Sequence, residues 1–300
     1  MAIASPAEKI DFEELLANVQ LPALPQTAIT LLELSQDSSN GPAEFARPIE
    51  ADAGLMTQIL RFVNSSYFGF ASEITNIRQA LALVGVRTIK NFALWSAVFS
   101  LVPDPKFGAF NLQKLWQDSL RRAVFARILA RSIKLANAEE LFSAALLQDM
   151  AIPLLLKELP EHYETLIERR SNENLRLSKL EQEAFGWDHG QVAAALVRNW
   201  RLPEEFARLI EFHPNFDELM NQTPPAREAA CVALAALLPS CEGEQWAERD
   251  QFLDGLRRIS SASYSSLKSI IDEADRTFET FAPMMRLSVP ERTLQEWLQS

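Results

Sequence analysis

Apolar residues recur at spacings of three and four along most of the chain, as in Phe12, Leu15, Leu16 and Val19 and again in Leu55, Ile59, Leu60 and Val63. That spacing puts them on one face of a helix. The strict apolar-polar alternation of a half-buried strand is hard to find. Breakers fall between the periodic segments at Pro22 and Pro25, Gly41-Pro42, Pro103 and Pro105, Pro203, Pro214, Pro224-Pro225 and Pro290. Helix-start chemistry agrees: Glu44 follows Pro42, Ser178 and Glu181 have the spacing of a capping box, and Glu204 and Glu205 follow Pro203. The pattern predicts an all-α chain of many short helices.

The sharpest break is Val102-Pro-Asp-Pro-Lys-Phe-Gly108, where two prolines and a glycine separate one helical block from the next. The expected organisation is two packed helical bundles, residues 1–105 and 106–222, with a C-terminal helical extension, 223–300, packed on the second bundle. Thr223-Pro-Pro225 marks the start of that extension.

Charge narrows the partners. Forty acidic against 29 basic side chains give a net charge of −11, whereas a phosphate-backbone site needs clustered cations. Nucleic acid is therefore not expected as a partner. Arg121, Arg122, Arg127, Arg131 and Lys134 form the densest basic cluster, of which the last three share one helical face; apolar residues fill the other side of that segment, so it reads as a solvated helix face. Cys231 and Cys241 lack metal-ligand spacing and read as reduced thiols. The acidic opening, with Glu8, Asp11, Glu13 and Glu14, is unlike a secretory signal. The apolar run from Phe92 to Val102 falls short of the roughly twenty residues of a membrane span. A cytoplasmic protein without a membrane partner is expected.

Leu21-Pro-Ala-Leu-Pro25, the stretch from Asp52-Ala-Gly-Leu55 to Asn64-Ser-Ser-Tyr-Phe-Gly69, and Ile74-Thr-Asn-Ile77 through Gly85 follow one another closely. Together they resemble the opening half of an HDOD domain, the HD-related output domain of bacterial signalling proteins. The positions carrying the resemblance are Asp52, Asn64, Ser65, Tyr67, Gly69 and Gly85. Local physics accounts for much of this: Asp52 can cap a helix start, Asn64 or Ser65 can satisfy carbonyls at its end, and Gly69 can take a positive φ. A ligand pocket or docking surface built from Asn64, Ser65 and Tyr67 is the alternative.

The second block resembles an HD-type domain. HD hydrolases use histidine and aspartate because imidazole and carboxylate hold a divalent metal that acidifies bound water and polarises a phosphate. On this resemblance the first metal histidine is replaced by Asp118 in Leu115-Trp-Gln-Asp-Ser119. The adjacent histidine-aspartate pair becomes Gln148-Asp149, and the distal aspartate becomes Ala236. An amide is a weak ligand and a methyl group is none. His189 in Phe185-Gly-Trp-Asp-His189 and His213 in Ile210-Glu-Phe-His-Pro214 resemble the histidines that complete a second metal site in two-metal relatives. They also read simply as hydrogen-bonded histidines at helix ends, with Asp188 as a cap and Pro214 as a stop.

The resemblance implies a vestigial site with no catalytic residue, no metal and no cofactor. Asp118, Asp149, His189 and His213 remain as a makeshift alternative. No Gly-rich phosphate loop and no G-x-S-x-G elbow offers other chemistry. The implied function is a non-catalytic output or scaffold protein that binds a signalling protein. Two alternatives stand beside it: a divergent metal-dependent phosphohydrolase acting on a nucleotide or cyclic dinucleotide, and a small-ligand sensor using the vestigial pocket.

Overall fold

The computed structural model describes residues 10–18, 23–34, 37, 39–65, 68–106, 108, 110–173, 175–241, 245–260 and 264–299. Every regular element among them is helical. The first block comprises α1 (Phe12–Asn18), α2 (Gln26–Leu34), α3 (Pro42–Ala51), α4 (Ala53–Val63), α5 (Ile77–Val84) and α6 (Val86–Leu101). One carboxylate joins two of these helices. Asp52 Oδ1 accepts the Leu55 N–H at 3.0 Å and so caps α4, while its Oδ2 accepts the Thr27 hydroxyl of α2 at 3.1 Å.

At the far end of α4, the Asn64 amide donates to Leu60 O at 2.9 Å and Ile74 O at 2.7 Å. Its Oδ1 accepts the Ile74 N–H at 2.7 Å, so Asn64 clamps the returning chain as well as ending the helix. The Ser65 backbone completes that turn, its N–H on Phe62 O and its carbonyl accepting from Phe68 N. Gly69 and Gly85 take φ values of +61° and +93°. At Gly85 this freedom lets the chain turn 116° between α5 and α6. Tyr67 lies outside the described residues.

The second block contains α7 (Leu112–Ser132), α8 (Ala138–Leu147), α9 (Ile152–Glu158), α10 (Pro160–Glu173), α11 (Leu177–Phe185), α12 (His189–Asn199), α13 (Glu204–Glu211) and α14 (Phe216–Asn221). Beyond it come α15 (Arg227–Ala235), α16 (Arg249–Ser260), α17 (Tyr264–Phe281), a 3₁₀ turn (Ala282–Met285) and α18 (Leu294–Gln299). The organising element is α7, which packs against α8, α15 and α17. Apart from half-buried Arg122, it is buried from Trp116 to Ala130. The two blocks meet where α6 lies on α8, with the Asn91 amide donating to Glu139 O at 2.9 Å and Arg87 paired with Glu140 at 3.2 Å. The chain start crosses to the second block, where Trp187 Nε1 donates to Ile10 O at 2.9 Å.

On the face shared by Arg127, Arg131 and Lys134, the structure leaves Arg131 and Lys134 exposed and buries Arg127, so the solvated reading is corrected at Arg127; of the other two basic residues of the cluster, Arg121 is buried and Arg122 half-buried. Arg121 donates to Pro239 O and Arg292 O, and the Arg127 guanidinium lies 5.0 and 5.3 Å from the ring centroids of Phe142 and Phe281. The apolar pattern marks one side for burial, but helices cover α7 all round; the guanidiniums find carbonyls and aromatic faces in place of water.

The Ser178–Glu181 capping box is also corrected. Arg176 holds the N-cap position of α11, and Glu181 is fully buried with its carboxylate turned inward. Among the described residues, no single helix is long and apolar enough to cross a membrane.

Core packing around α16 is close enough to test. A Cβ on Gly255 would lie 2.7 Å from Leu234 Cδ1 and from Phe216 Cε1. Overpacking of this kind costs about 1–3 kcal/mol, against a helix-propensity gain of up to about 1 kcal/mol. Gly255→Ala is therefore expected to lower the urea midpoint with an unchanged m value; a raised midpoint would mean that the Phe216 ring moves aside freely.

Candidate functional site: a buried carboxylate–histidine cluster

Three turns deliver the site. Asp149 lies in the turn that ends α8, His189 opens α12, and His213 sits in the turn after α13. Asp188 fixes the start of α12: its Oδ1 accepts the N–H groups of Gly190 and Gln191 at 3.0 and 3.2 Å, while Gln191 Oε1 accepts the Asp188 N–H at 3.0 Å. This reciprocal capping box orients the first residue of the helix. Gly190 then allows the close approach of the second histidine, since a Cβ there would lie 3.1 Å from His213 Cε1 and from Glu211 O.

The three side chains converge on one carboxylate oxygen. His189 Nε2 and His213 Nε2 lie 3.2 and 3.6 Å from Asp149 Oδ1, and 3.2 Å from each other. All three residues are at most 4% exposed. Asp149 Oδ2 is taken by the Arg122 guanidinium, with Gln148 Nε2 at 3.4 Å. On the outer side, His189 Nδ1 and the His189 backbone N–H both bond Glu181 Oε2, at 2.6 and 2.9 Å. The Tyr163 hydroxyl donates to Glu181 Oε1 at 2.6 Å. His213 Nδ1 bonds Ile210 O at 2.7 Å, which places the proton on Nδ1 and a lone pair on Nε2.

Charges follow these contacts. Burial alone would raise the Asp149 pKa, but the Arg122 guanidinium and the two imidazoles hold it well below the usual carboxylate range. For His189 burial favours the neutral ring; the Glu181 carboxylate, with help from Asp149, overcomes it and pushes the pKa up to about 10. Burial wins at His213, whose pKa falls despite Asp149. One histidine is thus held charged and the other neutral.

Of the residues singled out from the sequence, Asp149, His189 and His213 come together. Asp118 does not join them: it accepts the Ser240 hydroxyl at 2.7 Å and the Cys241 N–H at 2.6 Å, tying α7 to the turn after α15. Gln148 is fully buried, and its Oε1 has no hydrogen-bond partner. Ala236 ends α15 and presents only a methyl group. Asp52, Asn64, Ser65, Gly69 and Gly85 belong to the first block, where their contacts are those of caps and turns. A cleft between α4, α6, α8 and α17, lined largely by Phe62, Phe92, Trp95, Phe142 and Phe281, holds none of these positions.

Sequence reasoning misses Arg122, Glu181 and Tyr163 as members of the site. Arg122 stands one helical turn after Asp118, a spacing that could have linked it to the cluster; Glu181 reads as half of a local cap instead.

A divalent ion passes one test here and fails another. Donors at metal–ligand distances near 2.0–2.2 Å lie about 3.0–3.5 Å apart, close to the spacing of the two Nε2 atoms and Asp149 Oδ1. The partners on the remote imidazole nitrogens, a carboxylate and a backbone carbonyl, are those that orient metal-bound histidines. Against this, the only carboxylate among the three donors already carries a guanidinium. The spacing fits a metal and the electrostatics do not.

Comparison with known proteins bears on this arrangement. The profile of the HDOD domain matches residues 21–216. An uncharacterized protein of Treponema pallidum (strain Nichols) is 25% identical over 227 residues, 74% of this chain and 41% of that protein. The chain spans less than half the length of the curated relatives it matches. Among solved structures, a provisionally named signal transduction protein from Marinobacter aquaeolei VT8 matches with a TM-score of 0.72 at 21% identity, covering 91% of this chain and 61% of that one. A provisionally named phosphohydrolase from Shewanella amazonensis SB2B matches with a TM-score of 0.70 at 19% identity, over 90% of this chain and 96% of that one. At these identities the likeness to both structures is one of fold.

Proposed function

The chain belongs to the HDOD family, and from that membership we propose that it is a non-catalytic output or scaffold module in signal transduction whose partner is another protein. One observation carries this reading. Asp149 is the surviving half of the histidine-aspartate pair, and it is committed to the Arg122 guanidinium in a cluster whose carboxylate and two histidines are at most 4% exposed. A hydrolase needs a metal-bound water that a phosphate can reach. The other inherited positions point the same way, because Asp118 is engaged in a turn and Gln148 and Ala236 supply no good ligand. In this reading the module needs no cofactor. The net charge of −11 argues against a nucleic acid as partner.

A second reading, a metal-dependent phosphohydrolase acting on a nucleotide or cyclic dinucleotide, is favoured by the spacing of Asp149 Oδ1 and the two Nε2 atoms. One assay separates the two. Purified protein is expected to show no phosphodiesterase or nucleotidase turnover with manganese, magnesium or iron. Turnover that disappears in Asp149→Ala would establish the hydrolase and remove the scaffold reading.

A further inference from the structure

A buried cluster must balance its own charge, because water cannot screen it. This one contains two carboxylates, Asp149 and Glu181, both at most 3% exposed. A divalent ion between Asp149, His189 and His213 would balance those two negative charges by itself. With the Arg122 guanidinium also on Asp149, the ion, the guanidinium and the two carboxylates would together carry one excess positive charge; Asp118 also acts on Arg122, and the Arg176 cation, which acts on both Arg122 and Asp149, opposes it. The ion and the guanidinium would also face each other across a single carboxylate, at a separation where Coulomb repulsion inside a protein outweighs an ordinary hydrogen bond.

The oxygens can be accounted for one by one. Arg122 holds Asp149 Oδ2, the imidazoles face Oδ1, Glu181 Oε2 takes both N–H groups of His189, and Glu181 Oε1 takes the Tyr163 hydroxyl. Each carboxylate oxygen is thus satisfied by a group of the chain itself. Asp118, which precedes Arg122 by one turn, faces the Ser240–Cys241 turn and leaves the approach to Asp149 to the arginine.

We infer that Arg122 stands in the electrostatic place of a divalent cation, so that the native chain excludes metal from a cluster whose donor atoms are otherwise set to hold one. The inference rests on the non-catalytic reading for its context but concerns metal affinity alone. Its consequence is that one substitution, Arg122→Met, turns the same three donors into a site for a single divalent ion of the zinc, manganese or iron(II) class.

The test uses the full chain, purified without chelating resin, treated with EDTA and then titrated with Mn²⁺ or Zn²⁺ by calorimetry, with metal content measured after dialysis. Wild-type protein is expected to retain no stoichiometric metal. Arg122→Met is expected to bind one equivalent at least about tenfold more tightly, to gain thermal stability on metal addition, and to lose that gain when His189→Gln is added. Arg122→Lys, which keeps the charge, should behave like wild type. Stoichiometric metal in the wild-type chain would overturn the inference whether or not Arg122→Met folds, as would a folded Arg122→Met whose affinity is unchanged or weaker. Metal in the wild type without turnover sinks this inference alone, whereas turnover sinks the scaffold reading.

Discussion

Replacing Asp149 with alanine is expected to lower the unfolding free energy by about 3–5 kcal/mol, the range for removing one partner from a buried ion pair. Loss of a single buried hydrogen bond would cost only about 1–3 kcal/mol. The structure raises the figure because the substitution strands one charge and weakens the hold on a second. Arg122 loses its carboxylate in a setting where its side chain is only 14% exposed, and His189 loses one of its two acids. The penalty should therefore belong to the stranded guanidinium more than to the lost contact. Adding Arg122→Met to Asp149→Ala ought to recover some of the loss, with a coupling energy on the order of 1–3 kcal/mol in urea denaturation at neutral pH. A single-variant loss below about 1 kcal/mol with no coupling would mean that water reaches the pair and screens it as on a surface.

The contrast between Arg122 and Asp149 shows where sequence reasoning succeeds and stops. Helical periodicity exposed the all-α class, because each helix writes its buried face in its own spacing. Asp52 and Asn64 were legible as helix-end residues for a related reason: a cap depends on neighbours within a few positions, and the sequence displays those neighbours. Asp149, His189 and His213 were found through the family resemblance, although Asp149 meets the two histidines across 40 and 64 residues of chain.

Burial by distant helices was not legible. Arg121 and Arg127 both look solvated when α7 is viewed alone; the carbonyls of Pro239 and Arg292 meet the first, and rings of α8 and α17 cover the second, only in the fold. Glu181 shows the same limit. Its spacing from Ser178 satisfies a local rule, but the charged end of His189, eight residues on, offers a buried carboxylate more than a backbone amide at the helix start does. Asp118 was legible only as a family position; the turn that supplies two donors to its carboxylate lies more than a hundred residues away along the chain.

Glu181 also gives the cluster a pH signature. His189 has its folded pKa raised to about 10, above the unfolded value of 6.5. Stability gained from its charged form is therefore fully present below pH 6.5 and is lost as pH rises through the interval toward 10. Over that interval the folded chain keeps a proton that the unfolded chain has released. In metal-free protein the unfolding free energy should thus fall by about 1.4 kcal/mol per pH unit, or roughly 2 kcal/mol between pH 7 and 8.5. His213, depressed by burial, acts on the other side: it removes stability as pH falls below 6.5 and contributes no slope in this window. Cys231, raised to about 12, would add a downward slope only as pH approaches the ordinary thiol value of 9.0, which sets the upper end of the useful range. Glu181→Gln keeps the shape and one acceptor oxygen for His189, with the amide N–H turned toward the Tyr163 hydroxyl oxygen, but removes the charge that raises the His189 pKa. This variant should be less stable at pH 7 and should show a markedly flatter slope between pH 7 and 8.5 in denaturant titrations with EDTA present. An equally steep slope in wild type and Glu181→Gln would mean that some other group holds the proton.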